Sequence, residues 1–346
     1  MRILQVMAGA KQGGAETAFE DIILALHGSG VAQHVVIRKN NKYRLKQLQD
    51  AGIPVDVLPF GGIFDFYTTW RLRQIIKTYK PDIIQTWMSR AAQNTPHVSG
   101  VINVARLGGY YKLKYYKTMD YFIANTPDIM RYLLSVGIRQ SHVVHINNFA
   151  KVDTSLPSLS KTDISTPLDA PVALALARYH PVKALDILIR AAAPIKNLHV
   201  WLAGEGDEAA RLKNLAQSLD IEDRVHFLGW RNDGAALIRA ADICVVPSRF
   251  EPFGNVMVQA WAGKTPLVCS NADGPAQYVH DNEDALVFPI DDVGALTNAL
   301  TRVINDKDLA ARLVTAGYAR YEQEFSKEKT VAAYRYFYER LLAERA

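Results

Sequence analysis

A segment in the C-terminal half, Ser248–Gly263, combines a carboxylate, a glycine and a side-chain amide in a strand–loop–helix pattern. Glu251 lies on the loop, where a carboxylate can accept hydrogen bonds from sugar hydroxyls. Gly254 and Asn255 open the predicted helix, whose unpaired N–H groups and positive dipole end attract phosphate. Gln259 follows about one and a half turns later, within reach of a ribose. The segment therefore predicts a site for a sugar and its diphosphate.

The elements that position this segment are apolar runs typical of strands, alternating with helical patterns. In the first half, strands are predicted at Arg2–Met7, His34–Arg38, Val55–Pro59, Asp82–Trp87, Val101–Arg106, Tyr121–Asn125 and Val143–Asn147, and helices at Glu16–His27 and Thr69–Tyr79. In the second half, strands are predicted at Pro171–Ala177, Leu198–Ala203, Val225–Leu228, Asp242–Pro247 and Pro266–Ser270, and helices at Lys183–Ala193, Asp207–Leu219, Gly234–Ala240 and Gly254–Gly263. This alternation predicts α/β domains with parallel sheets.

The stretch Lys151–Ala170 is rich in Ser, Thr, Asp and Pro and has the composition of a linker. It separates a predicted N-terminal domain, 1–150, from a predicted C-terminal domain, 171–326. Residues 327–346 predict an amphipathic aromatic helix that needs a surface to cover. Two open α/β domains joined by a linker leave a cleft, and ligands bind such sheets beyond the carboxyl ends of the strands.

Charge is distributed unevenly along the chain. Residues 1–150 contain 18 Lys and Arg against 9 Asp and Glu, whereas the remainder contains 22 against 26. A basic N-terminal half indicates an anionic partner, such as a phosphorylated acceptor, a membrane surface or nucleic acid, or simply a solvated surface. No apolar run reaches the roughly 20 residues that span a bilayer, and no secretory signal is recognisable. Cys244 and Cys269 lie in apolar strand-like runs and are predicted to be buried, inert thiols of a cytoplasmic protein.

A known signature matches the central segment. The run Glu251-Pro252-Phe253-Gly254, with Gln259 and Ala260 following, resembles that of retaining glycosyltransferases of the GT-B architecture, family 4 type. The resemblance covers nearly the whole chain. Further matching pieces are the glycine loop Gly13–Glu16, the basic pair Arg178 and Lys183, the βα turns Leu202–Gly206 and Val225–Gly229, and the glycine turn Asp273–Pro275. Their order and spacing together are specific to this family.

The resemblance implies two Rossmann-like domains facing across a cleft, with the final helix crossing back onto the first. It implies transfer of a sugar from a nucleotide-diphosphate donor, UDP- or GDP-linked, to an acceptor hydroxyl in cell-surface glycan or lipopolysaccharide assembly. Arg178, Lys183 and Glu251 would be catalytic: the two cations would neutralise the diphosphate without a metal or cofactor, and the carboxylate would bind the transferred sugar. The implied donor-binding residues are Gly14, Glu16, Gly204, Gly229, Phe253, Gly254, Asn255, Val256 and Gln259.

The sequence departs from the family pattern at two places. Gln259 stands where the family has a second Glu that binds the nucleotide ribose, so the ribose contact loses a charge. Many members also carry a His after the strand that corresponds to Val101–Arg106, and this chain has none there. Arg106, Gly108 and Tyr110 occupy that neighbourhood and are predicted to lie on the acceptor side.

The segment Tyr110–Lys117, YYKLKYYK, interleaves aromatic and basic residues. Such a segment could bind anionic lipid, with its rings at headgroup depth and its lysines on phosphates, at the inner face of the membrane. Equally, its tyrosines could pack inward on an ordinary surface. Stacking on bases is a weaker alternative, and no nucleic acid partner is predicted because no nucleic-acid-binding motif accompanies the segment.

Three other functions fit parts of the pattern. Gly204–Ala209 reads GEGDEA, the outline of a dinucleotide fingerprint, but its acidic residues would face the pyrophosphate and its strand is the second of its domain. A nucleotide-sugar epimerase shares the GT-B architecture. A non-catalytic sugar-nucleotide binding protein would accommodate Gln259 and the missing His.

Overall fold

The computed structural model describes residues 1–11, 13–40, 42–61, 65–150 and 159–345. The chain divides into two compact α/β units: unit 1 comprises Met1–Phe149 with Lys327–Ala346, and unit 2 comprises Ala150–Ser326. Of the predicted linker, residues 151–158 lie outside the described residues, and Lys161–Ile164 form a short 3₁₀ turn. In the described part of the chain, no helix has the length and apolarity that crossing a membrane requires.

Unit 1 contains a seven-stranded parallel sheet in the order β3-β2-β1-β4-β5-β6-β7. Its strands are β1 (Arg2–Met7), β2 (Ala32–Arg38), β3 (Val55–Leu58), β4 (Ile83–Trp87), β5 (Ile102–Leu107), β6 (Tyr121–Ala124) and β7 (Val143–His145). Its helices are α1 (Gly14–Gly28), α2 (Lys42–Asp50), α3 (Phe66–Tyr79), α4 (Met88–Asn94), α5 (Pro127–Ser135) and α12 (Lys327–Arg345). All seven predicted strands are present, whereas α2, α4 and α5 were not among the predicted elements.

Helices cover both faces of this sheet, and the alternation of side chains along β1 separates the two cores. Ile3 and Met7 belong to the core beneath α1 and α12, whereas Leu4 and Val6 belong to the core beneath α3. The predicted amphipathic pattern of α12 is confirmed, because its inward residues are buried and its outward residues are exposed. The buried residues are Thr330, Tyr334, Phe337, Tyr338 and Leu341.

Unit 2 contains a six-stranded parallel sheet in the order β10-β9-β8-β11-β12-β13. Its strands are β8 (Val172–Leu176), β9 (His199–Ala203), β10 (Val225–Gly229), β11 (Ile243–Val246), β12 (Leu267–Ser270) and β13 (Leu286–Phe288). Its helices are α6 (Leu185–Ala192), α7 (Ala209–Ser218), α8 (Gly234–Ala240), α9 (Asn255–Ala262), α10 (Val293–Asn305) and α11 (Lys307–Arg320). No strand or helix was predicted between Ser270 and Lys327, so β13, α10 and α11 were not among the predicted elements.

In each sheet the strand order reverses at one point, between β1 and β4 in unit 1 and between β8 and β11 in unit 2. Ligands of open parallel sheets bind beyond the carboxyl ends of the strands at such a reversal. The predicted fold class, two Rossmann-like parallel-sheet units, is confirmed. The reversal points are therefore the places to look for a site in each unit.

Candidate functional site

The predicted catalytic residues converge at the strand reversal of unit 2. Strands β8 and β11 are hydrogen-bonded neighbours. Arg178 and Lys183 lie in the turn that follows β8, and Glu251 lies in the loop that follows β11. Because both turns leave the carboxyl ends of adjacent parallel strands, they meet at the same edge of the sheet.

An ion pair joins these two turns directly. Nζ of Lys183 lies 2.5 Å from Oε2 of Glu251, and the two side chains remain 23% and 19% exposed. The side chain of Arg178 is exposed and makes no ion pair or hydrogen bond with the described residues. The site thus holds one cation paired with a carboxylate and a second cation open to an anionic ligand.

Arg249 holds the Glu251 loop against the turn that carries Lys183. Its backbone N–H donates to the carbonyl of Val182 at 2.8 Å. Its guanidinium forms ion pairs with Asp186 at 3.1 Å and with Asp291 at 2.6 Å. Arg249 was not predicted as a site residue. The sequence signal for it was a cation two residues before Glu251, but its partners lie 42 or more residues away in sequence and could not be recognised from local spacing.

The helix that the sequence assigned to phosphate binding begins where it was predicted. Gly254 precedes α9 with φ +93°, a left-handed conformation that glycine adopts without strain. Asn255 and Val256 form the first turn, and Gln259 lies one turn further on, half-buried. The ring of Phe253 is buried and packs edge-on against Tyr278, with centroids 5.5 Å apart. The ring therefore anchors the loop, and a donor contact of Phe253 could come only from its backbone.

Gly274 fits the predicted glycine turn for a steric reason. A Cβ atom at this position would lie 2.3 Å from the carbonyl oxygen of Glu251 and 2.8 Å from the backbone nitrogen of Phe253. The N–H of Gly274 donates to that same Glu251 carbonyl at 2.7 Å. Only glycine allows this approach, so Gly274 positions the backbone that carries Glu251.

The Gly204-Glu205-Gly206 sequence has a structural explanation that requires no dinucleotide. Cβ atoms at Gly204 and Gly206 would lie 2.0 Å and 2.2 Å from the carbonyl oxygens of Ala177 and Tyr179. The turns after β8 and β9 run side by side, and the Tyr179 N–H donates to the Glu205 carbonyl at 2.8 Å. The two glycines thus permit the backbone packing that positions Arg178.

Gly229, at the end of β10, has φ +64° and lies beside the carboxylate of Glu205. Its neighbour Trp230 donates its backbone N–H to the same carboxylate at 3.4 Å. Gly229 therefore allows a tight turn at the carboxyl edge of the sheet, next to the turn after β9.

In unit 1, the glycine loop follows β1 as predicted, which places it at the strand reversal, but the Glu16 side chain is directed into the protein. Gly14 is the exposed first residue of α1. The Glu16 side chain is buried, and its Oε1 accepts the Ala10 N–H at 2.6 Å. Cβ atoms at Gly9 and Gly13 would lie 2.5 Å from its carboxylate oxygens. Glu16 therefore shapes the loop from beneath, which differs from the predicted donor contact.

The prediction that Arg106 faces an acceptor also needs correction. Arg106 is 3% exposed, and its Nε donates to the hydroxyl of Tyr334 on α12 at 2.9 Å. Its guanidinium also donates to Asn148 and lies 4.6 Å from the ring centroid of Trp87. These contacts hold it inside unit 1, because a buried guanidinium requires partners. Of the other two residues predicted to lie on the acceptor side, Gly108 is partly exposed and Tyr110 is exposed.

The segment Tyr110–Lys117 separates its two residue types. Lys112, Lys114 and Lys117 are exposed, whereas Tyr116 is buried and Tyr111 is half-buried. Burial raises the pKa of both tyrosines, and Tyr111 stacks on Tyr116 at 6.4 Å between ring centroids. Tyr110 is 38% exposed and donates its hydroxyl to Asp128. The inward-packing alternative therefore describes Tyr111 and Tyr116, and the lysines project without a continuous aromatic face.

Met88 is a residue at the unit 1 reversal that the sequence did not reveal. It follows β4 directly and has φ +68°, an uncommon conformation for a non-glycine residue. The next residue, Ser89, lies 3.2 Å from the hydroxyl of Tyr116. No sequence signal points to Met88, because methionine has no preference for positive φ.

The described residues contain neither an exposed thiol nor a cluster of metal ligands. Cys244 and Cys269 are fully buried, and burial raises the pKa of the Cys244 thiol to about 12. The prediction that both thiols are buried is thereby confirmed, and a buried thiol with a raised pKa is a poor nucleophile. Within the described ranges, no group of three or more His, Cys, Asp or Glu residues could hold a metal ion.

The fold and this site define a class: two doubly wound parallel-sheet units, with cations and a carboxylate at the strand reversal of the second. Residues 160–320 match the family described as glycosyl transferases group 1, and residues 12–154 match Glycosyltransferase Family 4. The chain is 31% identical to the lipopolysaccharide core biosynthesis glycosyltransferase LpsD of Rhizobium meliloti (strain 1021), over 100% of both chains. It is 30% identical to LpsE of the same strain, over 94% of this chain and 95% of that one. The chain therefore belongs to this glycosyltransferase family.

Solved structures share the architecture over nearly the whole chain. A glycosyltransferase from Rickettsia africae ESF-5 superposes with a TM-score of 0.86 at 19% identity, covering 99% of this chain and 98% of that one. Anabaena HepE in complex with UDP and glucose superposes with a TM-score of 0.84 at 22% identity, covering 98% and 99%. At these identities the likeness shows the fold, which is GT-B.

Proposed function

We propose that this glycosyltransferase moves a sugar from a nucleotide-diphosphate donor to an acceptor hydroxyl, with retention, in cell-surface glycan or lipopolysaccharide assembly. Two observations support the reaction partners. The full-length relatives LpsD and LpsE are named for lipopolysaccharide core biosynthesis, and HepE, of the same fold, was solved with UDP and glucose. Retention rests on the resemblance of the Glu251–Gly254 run to retaining enzymes.

The observation that carries the proposal is the Lys183–Glu251 ion pair beside the start of α9. In the proposed reaction, the bond between the anomeric carbon and the diphosphate oxygen breaks, and its electron pair goes to the diphosphate. The acceptor oxygen bonds to the anomeric carbon and passes its proton to the leaving diphosphate. Lys183, Arg178 and the first N–H groups of α9 stabilise the charge that develops on the leaving diphosphate.

Glu251 has two tasks in this scheme. Without a donor it neutralises Lys183, which would otherwise be a partly buried cation without a carboxylate partner. With a donor, the diphosphate takes over Lys183 and the freed carboxylate accepts hydrogen bonds from the transferred sugar. Gln259, in the second turn of α9, supplies the ribose contact through its amide.

We also propose that no metal ion or organic cofactor takes part, since Arg178 and Lys183 would supply the positive charge that the diphosphate requires. Unit 2 then binds the donor, and the basic unit 1 binds the acceptor. The protein would act in the cytoplasm, at the inner face of the membrane where a lipid-linked acceptor is reached.

A ligand screen followed by a turnover assay tests the function. UDP-, GDP- and ADP-sugars are added separately, and the matching donor raises the melting temperature because it binds only the folded chain. Release of free nucleotide is then measured with and without a truncated lipopolysaccharide acceptor, in the presence of EDTA. Acceptor-dependent release of nucleotide in EDTA is the expected result.

The same assay distinguishes the two alternatives of this architecture. A nucleotide-sugar epimerase would convert the donor without an acceptor and leave the nucleotide attached. A non-catalytic binding protein would show the melting-temperature shift but no turnover with any acceptor. Either outcome would replace the proposed transfer reaction.

A further inference from the structure

The outer surface of α3 carries a set of large aromatic side chains that no part of the described chain covers. Phe66 is 76% exposed, Tyr67 is 55% exposed and Trp70 is 52% exposed. These three lie within the first five residues of one helix, a concentration that isolated exposed apolar residues do not show. The donor site does not account for them, because it lies in unit 2.

Cations continue the same surface toward the C-terminal end of the helix. Arg73, Lys77 and Lys80 are exposed and form no ion pair with the described residues. They line a shallow groove of about 460 Å³ together with partly buried apolar side chains such as Val98 and Val101. Between residues 66 and 80 the sequence contains four Lys and Arg but no Asp or Glu. The surface is therefore aromatic at one end of α3 and carries three exposed cations toward the other.

The geometry of α3 places these residues on one side. Positions 66, 70, 73 and 77 recur at helical spacing and form one stripe, because residues three and four apart are neighbours on a helix. The opposite side, with Leu72, Ile75 and Ile76, is buried in the core against β1 and β4. The aromatic–basic face, defined as Phe66, Tyr67, Trp70, Arg73, Lys77 and Lys80, therefore extends over a helix about 21 Å long.

The aromatic end of this face lies near the edge of the unit 1 sheet at which the strands have their carboxyl ends. Helix α3 follows β3, and all strands of the sheet are parallel, so α3 begins at the edge where the carboxyl ends lie. The glycine loop after β1 and the exposed lysines after β5 leave the same edge. A partner that binds the aromatic end of α3 therefore lies close to the glycine loop.

We propose that the aromatic–basic face of α3 binds an anionic phospholipid bilayer. The rings enter the headgroup layer, where aromatic side chains concentrate, and the cations contact lipid phosphates. The absence of any carboxylate between residues 66 and 80 favours anionic lipid over a neutral surface. The proposal deepens the proposed function, on which it rests for a lipid-linked acceptor, and it relocates the membrane contact from Tyr110–Lys117 to α3.

Vesicle binding of the full chain tests the proposal without donor or acceptor. Co-sedimentation of the protein is measured with vesicles of phosphatidylcholine that contain about 30% phosphatidylglycerol, and with vesicles of pure phosphatidylcholine. The wild-type chain is expected to bind the anionic vesicles and to bind less as salt is raised. A Phe66→Ser/Trp70→Ser variant should lose about tenfold or more in partitioning. Each of Arg73→Gln and Lys77→Gln should lose about fivefold.

Two further variants make the test specific to this face. Tyr336→Ser removes an aromatic side chain that is 70% exposed on α12, over the opposite core of the same unit, and should bind as the wild type does. Trp70→Phe should keep vesicle binding but lose the fluorescence quenching that brominated lipid causes. Of the five Trp residues, only Trp70 and Trp230 are substantially exposed, and Trp230 lies in unit 2.

Melting temperatures confirm that each variant is folded. The proposal is overturned if the wild-type chain ignores anionic vesicles, if Phe66→Ser/Trp70→Ser binds unchanged, or if Tyr336→Ser loses as much. It is also overturned if Lys112, Lys114 and Lys117, changed to Gln together, abolish binding while the α3 variants retain it. Turnover on a soluble acceptor is measured in parallel, so a failure of the sugar-transfer function remains distinguishable from a failure of membrane binding.

Discussion

Lys183 and Glu251 are separated by 68 residues in sequence, yet their charged atoms lie 2.5 Å apart at the strand reversal of unit 2. The pair joins the turn after β8 to the loop after β11. It leaves Arg178 as the cation open to the solvent. Because an incoming diphosphate carries more charge than one carboxylate, it can displace Glu251 from Lys183 and release that carboxylate for the sugar.

Replacement of Lys183 by Ala is expected to lower kcat by about 10² to 10³-fold. The charge that Lys183 neutralises increases as the leaving diphosphate departs, so the loss falls more on kcat than on the donor KM. Steady-state kinetics of nucleotide release measure both parameters. Lys196→Ala, which removes an exposed cation of the same unit, is the control and should leave kcat unchanged. An unaltered kcat in Lys183→Ala would exclude the proposed role.

Substitution of Gly274 by Ala should impair the site through the backbone. The new Cβ atom would meet the Glu251 carbonyl oxygen at 2.3 Å, so the loop must move. We expect a loss of about 1–3 kcal/mol in the free energy of unfolding, with a lower kcat. Gly294→Ala, in the first turn of α10, has 3.5 Å of clearance and should be neutral or slightly stabilising. Equal behaviour of the two variants in urea unfolding would contradict this steric account.

The sequence was sufficient to predict strands β1–β12 and the loop and helix that carry Glu251 and Gly254. These strands are short, largely apolar runs, which is typical of parallel strands buried on both faces. Helix α9 is preceded within a few residues by its N-cap, Gly254, and by strand β11. The start of α9 could therefore be predicted from the local sequence pattern. Helices α2 and α4 escaped prediction because α2 is largely polar, with only Arg44 and Leu48 buried, and α4 is seven residues long.

The directions of side chains could not be read from the sequence. Arg106 and Glu16 each stand at the end of a strand or the start of a helix, where a functional role is plausible. The partners that turn them inward, Tyr334 for one and the Ala10 amide for the other, depend on tertiary packing. The Arg106–Tyr334 contact joins residues 228 positions apart. Local spacing carries no information about such a pair.

Truncation of Arg106 to Ala is expected to destabilise unit 1 rather than weaken acceptor binding. Its loss leaves Tyr334 and Asn148 without their charged donor inside the core. We expect the free energy of unfolding to fall by about 2–3 kcal/mol, with faster amide hydrogen exchange in α12.

The matched control for this prediction is Arg131→Ala. Its guanidinium forms a surface pair with Asp128 and is 63% exposed, so its removal should cost about 0.5 kcal/mol or less. If Arg106→Ala instead raised the acceptor KM and left unfolding and exchange unchanged, the original acceptor-side interpretation of Arg106 would be restored.

A stacked histidine pair predicts how the stability of unit 2 depends on pH. Nδ1 of His199 lies 2.9 Å from Nε2 of His226, and their ring centroids are 5.2 Å apart. Burial lowers the pKa of both rings; Arg224 lowers that of His199 further, and His199 lowers that of His226. In the unfolded chain each takes up a proton near its ordinary pKa of 6.5.

The unfolded state therefore binds more protons than the folded state once the pH falls below about 6.5. Stability from the pair is complete above that pH and is lost as the pH drops toward the lowered folded pKa values. Urea unfolding of the whole chain is measured at about pH 7.5, 6.5 and 5.5. The free energy of unfolding should decrease from the highest to the lowest pH. A His199→Asn/His226→Gln variant should have a shallower decline, and an identical slope in both proteins would refute the assignment.

Replacement of Gln259 by Glu should strengthen the contact with the nucleotide ribose, because it restores the carboxylate that the family pattern has at this position. A hydrogen bond from a ribose hydroxyl to a carboxylate exceeds one to an amide by about 1 kcal/mol, so the donor KM should fall about fivefold. The ribose is bound equally before and during sugar transfer, so kcat should stay the same. The tighter donor binding should also increase the rise in melting temperature that the donor causes. Gln217→Glu introduces the same change at an exposed position of α7 and should leave both quantities unaltered. A donor KM that rises in Gln259→Glu would mean that Gln259 does not face the ribose, and the family-derived placement of the nucleoside would have to be abandoned.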